Sequence, residues 1–403
     1  MSEPVTTLAL LGAAPVRTSP FPLWPTPNER VESAVREVVR SGHWWQSGGG
    51  VSERLEERLA RWFGAARVVC VANGTVALEI GLRGLGIGPG DEVLVPATTF
   101  VSTASAVVAV GALPVSVDVD AATWNLDVTA AQDRLSPRTR ALVAVHLAGQ
   151  PVDLTACRRF CDAHGLALVE DSAQAIGARW AEARVGTAGD LTTFSFQAAK
   201  LLPGGDGGAV LIPGDAALAE RVERLANCGR PRGSSRYDHR IAGTNGRISE
   251  FAAAVVLAQI DDYETLWAVR DRTAVAAAAF LPPEAAVLTH PEVSRHDHYM
   301  FLIRMPETLL DDGISNAAFA AALTAEGLPA QVLYPAWPAL PAFARLDDPR
   351  PEVCPAGREA ARRGIWLHHR MLLDPRFGED LATAWERIMG APEELAAWQR
   401  DAA

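Results

Sequence analysis

The chain has 403 residues, 49% of them hydrophobic, which is material for a sizeable core and a length that suggests about two domains. Its net charge of -11 and pI near 5.4 leave no basic stripe to hold a phosphate backbone, which argues against a nucleic-acid partner.

Taken in chain order, the opening MSEPVTTLALLGAAPVRTSPF carries Glu3 and only a short apolar run before Pro15, unlike a secretory signal. No run approaches the ~20 apolar residues of a membrane span, so the expected setting is the cytoplasm. From residue 67 to 170, short β-rich runs (RVVCVAN, DEVLVPA, LPVSVDVD, RALVAVHLAG, LALVED) alternate with segments of helical spacing such as GTVALEIGLRGLG and VDLTACRRFCDAHG. That alternation predicts an α/β fold with a parallel sheet covered on both faces. TTFSF and GGAVLIP predict two more strands, on either side of Lys200. From Ala217 to about Leu266 the chain reads as mainly helical, interrupted by the arginine-rich NCGRPRGSSRYDHRIAGTNGR. TAVAAAAF reads as helix, and HYMFLIRMP as a strand opening a smaller α/β region. The five cysteines, Cys70, Cys157, Cys161, Cys228 and Cys354, are odd in number and scattered, unlike a disulfide framework. Cys157 and Cys161 share a helix face and suit either a buried thiol pair or half of a metal site; no second ligand pair lies nearby in sequence.

The chemistry concentrates in TFSFQAAKLLPGGDGG, residues 193 to 208, where a lysine stands in a chain that draws most of its positive charge from arginine. Asp171 closes LALVED at the carboxyl edge of the predicted sheet, where open α/β folds place their ligands. Lys200 follows a second strand, so folding can bring its amine close to Asp171, and a lysine that loses its charge is a nucleophile toward carbonyls. Gly74 and Thr75 open a helix after a strand and offer an anion seat, with Ser195 and the cluster from Gly204 to Gly208 as further phosphate donors. That cluster lacks the lysine and hydroxyl ending of a nucleotide-hydrolysing loop, and no G-x-G-x-x-G follows the first strand, which argues against a nicotinamide dehydrogenase. Phe100 ends another strand and can stack on a flat ring. Lysine for a carbonyl, aspartate for a protonated ring nitrogen, hydroxyl and backbone donors for a phosphate and an aromatic ring face together fit pyridoxal 5'-phosphate.

On VANGTVALEIGL, GDEVLVPATTFVSTASAVVAVGALPVSVDVD, VEDSAQAIGA, GDLTTFSFQAAKLLPGGDGGAV and GTNGRISEFAAAVVLAQI, the chain resembles the fold type I pyridoxal-phosphate sugar aminotransferases named after DegT, DnrJ, EryC1 and StrS. FPLWP, SGHWWQSGGG, HYMFLIR and WLHHRMLL extend the likeness to the branch of 3-amino-5-hydroxybenzoate synthases and cyclitol (inosose) aminotransferases. The resemblance implies a large cofactor domain, 1–262 with an N-terminal arm 1–30, and a small C-terminal domain, 263–403. It implies that Lys200 holds the cofactor as a Schiff base and Asp171 pairs with the ring nitrogen. Gln174 would lie near the ring hydroxyl, Phe100 on the ring face, and Gly74, Thr75 and Ser195 on the phosphate. Asn227 would reach the phosphate of a neighbouring subunit, making the active unit a homodimer with Arg247 near the substrate entrance.

Two positions depart from the pattern: the aromatising synthases carry histidine where Gln174 stands, and the glycine loop carries Asp206 in place of glutamate. The first points away from an aromatising synthase. The resulting expectation is an aminotransferase moving an amino group from glutamine or glutamate to a ketone on a sugar or cyclitol ring in antibiotic biosynthesis. A dehydrating synthase and a non-catalytic cofactor-binding regulator are the alternatives, and no appended helix-turn-helix supports the latter. Trp44 and Trp45 suit an active-site wall or subunit packing equally, and His368 and His369 read as core or supporting histidines more than as catalysts.

Overall fold

The structure, a computed structural model, describes residues 7–46, 50–234, 237–346, 348 and 354–402. The first six residues of the arm, residues 47–49 of SGHWWQSGGG and Arg236 of the arginine-rich loop lie outside the described residues.

Seven strands form the main sheet: β1 (Arg67–Val71), β2 (Glu92–Pro96), β3 (Leu113–Val117), β4 (Thr139–Val145), β5 (Ala167–Asp171), and, past the two-residue strands β6 (Arg179–Trp180) and β7 (Ala183–Arg184), β8 (Leu191–Ser195) and β9 (Gly208–Ile212). Their spatial order is β1-β9-β8-β5-β4-β2-β3. β3, β2, β4, β5 and β8 run parallel, and β9 alone runs against its neighbours. The chain between β8 and β9 is the lysine and glycine loop, with no crossover helix, so it can only double back.

Side chains alternate along each strand, and each face of the sheet has its own core. Val69, Val71, Val93, Val143 and Val169 pack with the helices Gly74–Gly84, Ser102–Ala109 and Ala216–Ala226. On the opposite face, Leu94, Val115, Leu142 and Leu168 meet the helix Leu154–His164, while Val68, Cys70 and Leu211 meet Leu55 and Leu59. These strands and helices match those predicted from the sequence. The helices Glu29–Ser41 and Val51–Phe63 were not anticipated. Cys157 and Cys161 both belong to the core; burial pushes the Cys161 thiol up to about 12 and the Cys157 thiol upward.

After the short β10 (Val293–Arg295), a second core gathers Phe301 and Ile303 of β11 (Met300–Arg304), Ile365 and Leu367 of β13 (Gly364–His368), which also pairs with β12 (Ala330–Val332), and the helices Asn316–Ala325 and Phe377–Met389. The N-terminal arm packs here through Leu8 and Phe21, and the buried Arg17 pairs with both Asp374 and Asp380. The helix Tyr263–Ala278 joins the two regions: Tyr263 belongs to the main core, Ala274 and Ala277 to the second. Among the described residues no helix is long and apolar enough to cross a membrane.

Candidate active site

β1, β2, β5 and β8 end on the same edge of the sheet, and the segments leaving them line a cavity of about 560 Å³. Gly74, Thr75, Phe100, Asp171, Gln174, Ser195 and Lys200 all border it. Asn227 does not: its Oδ1 accepts from Arg247 at 3.1 Å, and its Nδ2 donates to the Arg230 carbonyl at 3.2 Å.

Asn73 caps the helix Gly74–Gly84, its Oδ1 accepting from the Val76 N–H at 2.9 Å. The first-turn N–H groups of Gly74 and Thr75 have no carbonyl within the helix to bond and point, with the positive end of the helix dipole, toward the cavity edge. A Cβ on Gly74 would lie 2.9 Å from the Ser195 Cβ, so glycine is what lets the serine hydroxyl approach the helix start. The Thr75 hydroxyl donates to Ser102 at 3.0 Å. Backbone donors, hydroxyls and a glycine-opened cradle fit a phosphate group. Gly74→Ala is expected to weaken cofactor retention about tenfold while leaving the fold intact, measured by equilibrium dialysis.

Asp171 is buried, with its Oδ2 accepting from the Thr103 hydroxyl at 2.8 Å and its Oδ1 from the Ala173 N–H at 3.2 Å. Two neutral donors orient the carboxylate and leave its charge to serve a cationic partner. The Ala148 N–H donates to Gln174 Oε1 at 2.7 Å and directs the amide Nε2 toward the Tyr334 hydroxyl, 3.5 Å away.

Lys200 Nζ lies 4.4 Å above the Tyr299 ring. Burial lowers the amine to about 8, with Asp171 pulling the other way. Lys200 is also the single lysine of the chain; every other residue in the Lys+Arg total of 37 is arginine. Arginine cannot deprotonate in a protein, so this is the one side-chain amine that can become a neutral nucleophile, a signal stronger than its place beside the glycines. The unfolded chain holds the Lys200 proton up to its ordinary value of 10.5, the folded chain only up to about 8, so a charged Lys200 opposes folding below that window. In cofactor-free protein, Lys200→Met is therefore expected to add stability, up to about 3 kcal/mol below pH 8. The gain shrinks as pH rises from 8 toward 10.5, and urea unfolding across that range measures it.

Sequence reasoning missed the opposite wall, Tyr299, Gln331, Tyr334 and Trp366, together with Thr103. The first four come from the C-terminal region: Tyr299 and Trp366 fall within HYMFLIR and WLHHRMLL, runs read for the family likeness and not for the site, and neither Gln331 nor Tyr334 lies in such a motif. Trp44 and Trp45 are half exposed outside this cavity, Trp44 against Phe251 and Trp45 under the Arg247 guanidinium. His368 and His369 separate in role: His369 is buried and donates to the Ala199 carbonyl at 3.0 Å, whereas the half-buried His368 borders an adjoining cavity and is pushed by burial down to about 4.

A mainly parallel α/β sheet with a half-buried lysine, a buried aspartate and a helix-start anion cradle at one edge defines a fold type I pyridoxal-phosphate enzyme. The family model described as the DegT/DnrJ/EryC1/StrS aminotransferase family matches residues 25–383. The chain belongs to this family and is a pyridoxal-phosphate-dependent aminotransferase. It is 38% identical to a 3-amino-5-hydroxybenzoate synthase of Amycolatopsis mediterranei, over 88% of this chain and 93% of the relative. It is 35% identical to an L-glutamine:2-deoxy-scyllo-inosose aminotransferase of Streptomyces lividus, over 97% and 99%. A crystal structure of 3-amino-5-hydroxybenzoic acid synthase superposes with a TM-score of 0.85 at 36% identity, covering 92% of this chain and all of the other.

Proposed function

We propose that the enzyme transfers an amino group from glutamine or glutamate to a ketone on a polyhydroxylated ring, a cyclitol or sugar of antibiotic biosynthesis. The observation that carries this reading is the meeting of Lys200, Asp171 and the Gly74–Ser195 cradle in one cavity. The near full-length likeness to a glutamine-dependent inosose aminotransferase supports the donor and the ring. When bound, pyridoxal phosphate supplies an electron-withdrawing ring that stabilises charge left at the carbon losing its proton.

The chain's residues do the rest. The Gly74 and Thr75 N–H groups and the Ser195 hydroxyl would hold the phosphate, Phe100 would cover a face of the ring, and Gln174 would serve the ring hydroxyl. The Asp171 carboxylate would keep the ring nitrogen protonated. Lys200 Nζ, near neutrality in its own titration, takes the proton from the donor's α carbon and returns one to the acceptor's former carbonyl carbon in the opposite direction. The donor leaves as its keto acid. The division into domains 1–262 and 263–403, with the second supplying Tyr299, Tyr334 and Trp366 as the facing wall, is part of this reading.

The likeness to 3-amino-5-hydroxybenzoate synthases favours a second reading, in which an aminated ring loses water and becomes aromatic. One experiment separates them: purified enzyme with glutamine or glutamate and a panel of inososes, keto-sugars and aminodehydroshikimate, with products read by mass. An amine product of an inosose or keto-sugar is expected. Turnover confined to aminodehydroshikimate, with loss of water, would establish the second reading instead.

The active unit in this account is a homodimer in which Asn227 reaches the partner's phosphate. Its place outside its own chain's cavity, beside Arg247 and the half-exposed Trp45, supports that geometry. Losing this charged hydrogen bond is expected to weaken cofactor retention by roughly 1.5–3 kcal/mol. Mixing inactive Lys200→Ala chains with inactive Asn227→Asp chains is expected to restore part of the activity, because one of the two shared sites then carries neither lesion. No recovery despite demonstrated subunit exchange would place Asn227 in its own chain's site or in none.

A further inference from the structure

The two peptide carbonyls flanking the Lys200 Cα each receive a hydrogen bond from a distant part of the chain. His369 Nε2 lies 3.0 Å from the Ala199 carbonyl oxygen. A carbonyl only accepts, so the imidazole proton sits on Nε2, and Nδ1 has no hydrogen-bond partner among the described residues. Burial holds the ring neutral. The Trp24 indole N–H donates to the Lys200 carbonyl at 3.1 Å. The two rings meet edge to face at 4.7 Å, and the Tyr299 ring lies 5.9 Å from His369 while carrying Lys200 Nζ above it.

Their supports lie outside the cofactor sheet. Trp24 ends an arm whose Arg17 is paired to Asp374 and Asp380 and whose Phe21 packs on Phe377. His369 opens the turn His369–Leu373 that follows β13, and β13 pairs with β11, the strand entered from Tyr299. Gly149 fixes the approach to that strand, since a Cβ there would lie 2.9 Å from the Tyr299 nitrogen. Within the loop the Lys200 N–H bonds the Gln197 carbonyl at 2.8 Å and the Ala198 N–H the Gly205 carbonyl at 3.0 Å, and the Gln259 side chain holds the Pro203 carbonyl at 2.8 Å; the bonds from His369 and Trp24 are the ones that fall on the two carbonyls beside the Lys200 Cα.

We propose that Trp24 and His369 are positioning residues that clamp the backbone of Lys200, so that the docked arm and C-terminal region hold the reactive amine over Tyr299 and within reach of Asp171. The side chain of Lys200 swings between its cofactor-linked and free forms, and a fixed Cα returns the amine to the same place each time. A misplacement of about 1 Å at such a group costs on the order of a hundredfold in rate. This inference rests on Lys200 as the reactive lysine.

The single lysine makes the test specific. In cofactor-free protein, reductive methylation with ¹³C-formaldehyde labels Lys200 and the chain's α-amino group, and NMR follows the titration of each. Wild type is expected to titrate near 8, as burial of the amine dictates. His369→Leu is expected to raise that value by about a unit toward the ordinary lysine range, and Trp24→Phe to raise it less. His369→Gln, whose amide N–H replaces the Nε2 donor, is expected to restore the wild-type titration. In turnover, kcat should fall about ten- to a hundredfold in His369→Leu, with KM for the amino donor changed less than about twofold. Unchanged titration and kcat in both His369→Leu and Trp24→Phe would overturn the clamp, and Trp24→Phe alone decides it should His369→Leu not fold. Failure of wild type to form any borohydride-stable cofactor adduct would instead remove the reading beneath it.

Discussion

Lys200→Ala is expected to fold, to retain pyridoxal phosphate through the remaining contacts, and to lose turnover by roughly 10²–10⁴-fold, the contribution of a positioned acid–base amine. Lys200→Arg is expected to be equally inactive although it keeps the charge. The guanidinium stays protonated at every accessible pH, so it can neither take a proton from carbon nor attack a carbonyl. The pair of variants separates charge from proton transfer: if positive charge beside Asp171 were all the site needed, arginine would rescue. Steady-state kcat with the preferred donor, alongside cofactor content by absorbance, measures both.

Asp171→Asn is expected to lower kcat about a thousandfold, equivalent to roughly 4 kcal/mol of barrier, with little change in folding. Asparagine is nearly the same size, and its carbonyl oxygen can still accept from the Thr103 hydroxyl that now bonds Oδ2. It lacks the negative charge that holds a proton on the ring nitrogen. Wild-type rates in this variant would show that the buried carboxylate serves the fold alone. The visible spectrum of the bound cofactor adds a readout that a structural role would not move.

The sheet edge was legible in the sequence because each β-rich run is short, bounded by glycine, proline or polar residues, and followed by helical spacing. Gly74, Thr75, Phe100, Asp171, Gln174, Ser195 and Lys200 all lie within a few residues of such boundaries, and the structure gathers them at one cavity. The reversal of β9 was not legible: GGAVLIP has the same pattern in either direction, and only the missing crossover in the loop before it hints at the turn. Tyr299, Tyr334 and Trp366 escaped because their place opposite Lys200 depends on how the C-terminal region docks, which no local spacing encodes. His368 and His369 are adjacent and chemically alike in sequence, yet a strand end turning into a tight helical turn sends one toward Ala199 and the other toward a cavity. The plainest signal was a count, one lysine among so many arginines.

That count also makes the central claim testable in one step. Purified protein incubated with pyridoxal phosphate should show a visible absorbance band that borohydride bleaches, and mass spectrometry of the digest should then find the reduced cofactor on the peptide containing Lys200. No other side chain in the protein offers a primary amine. Cofactor found only at the chain's α-amino group, or released intact after reduction, would contradict the account.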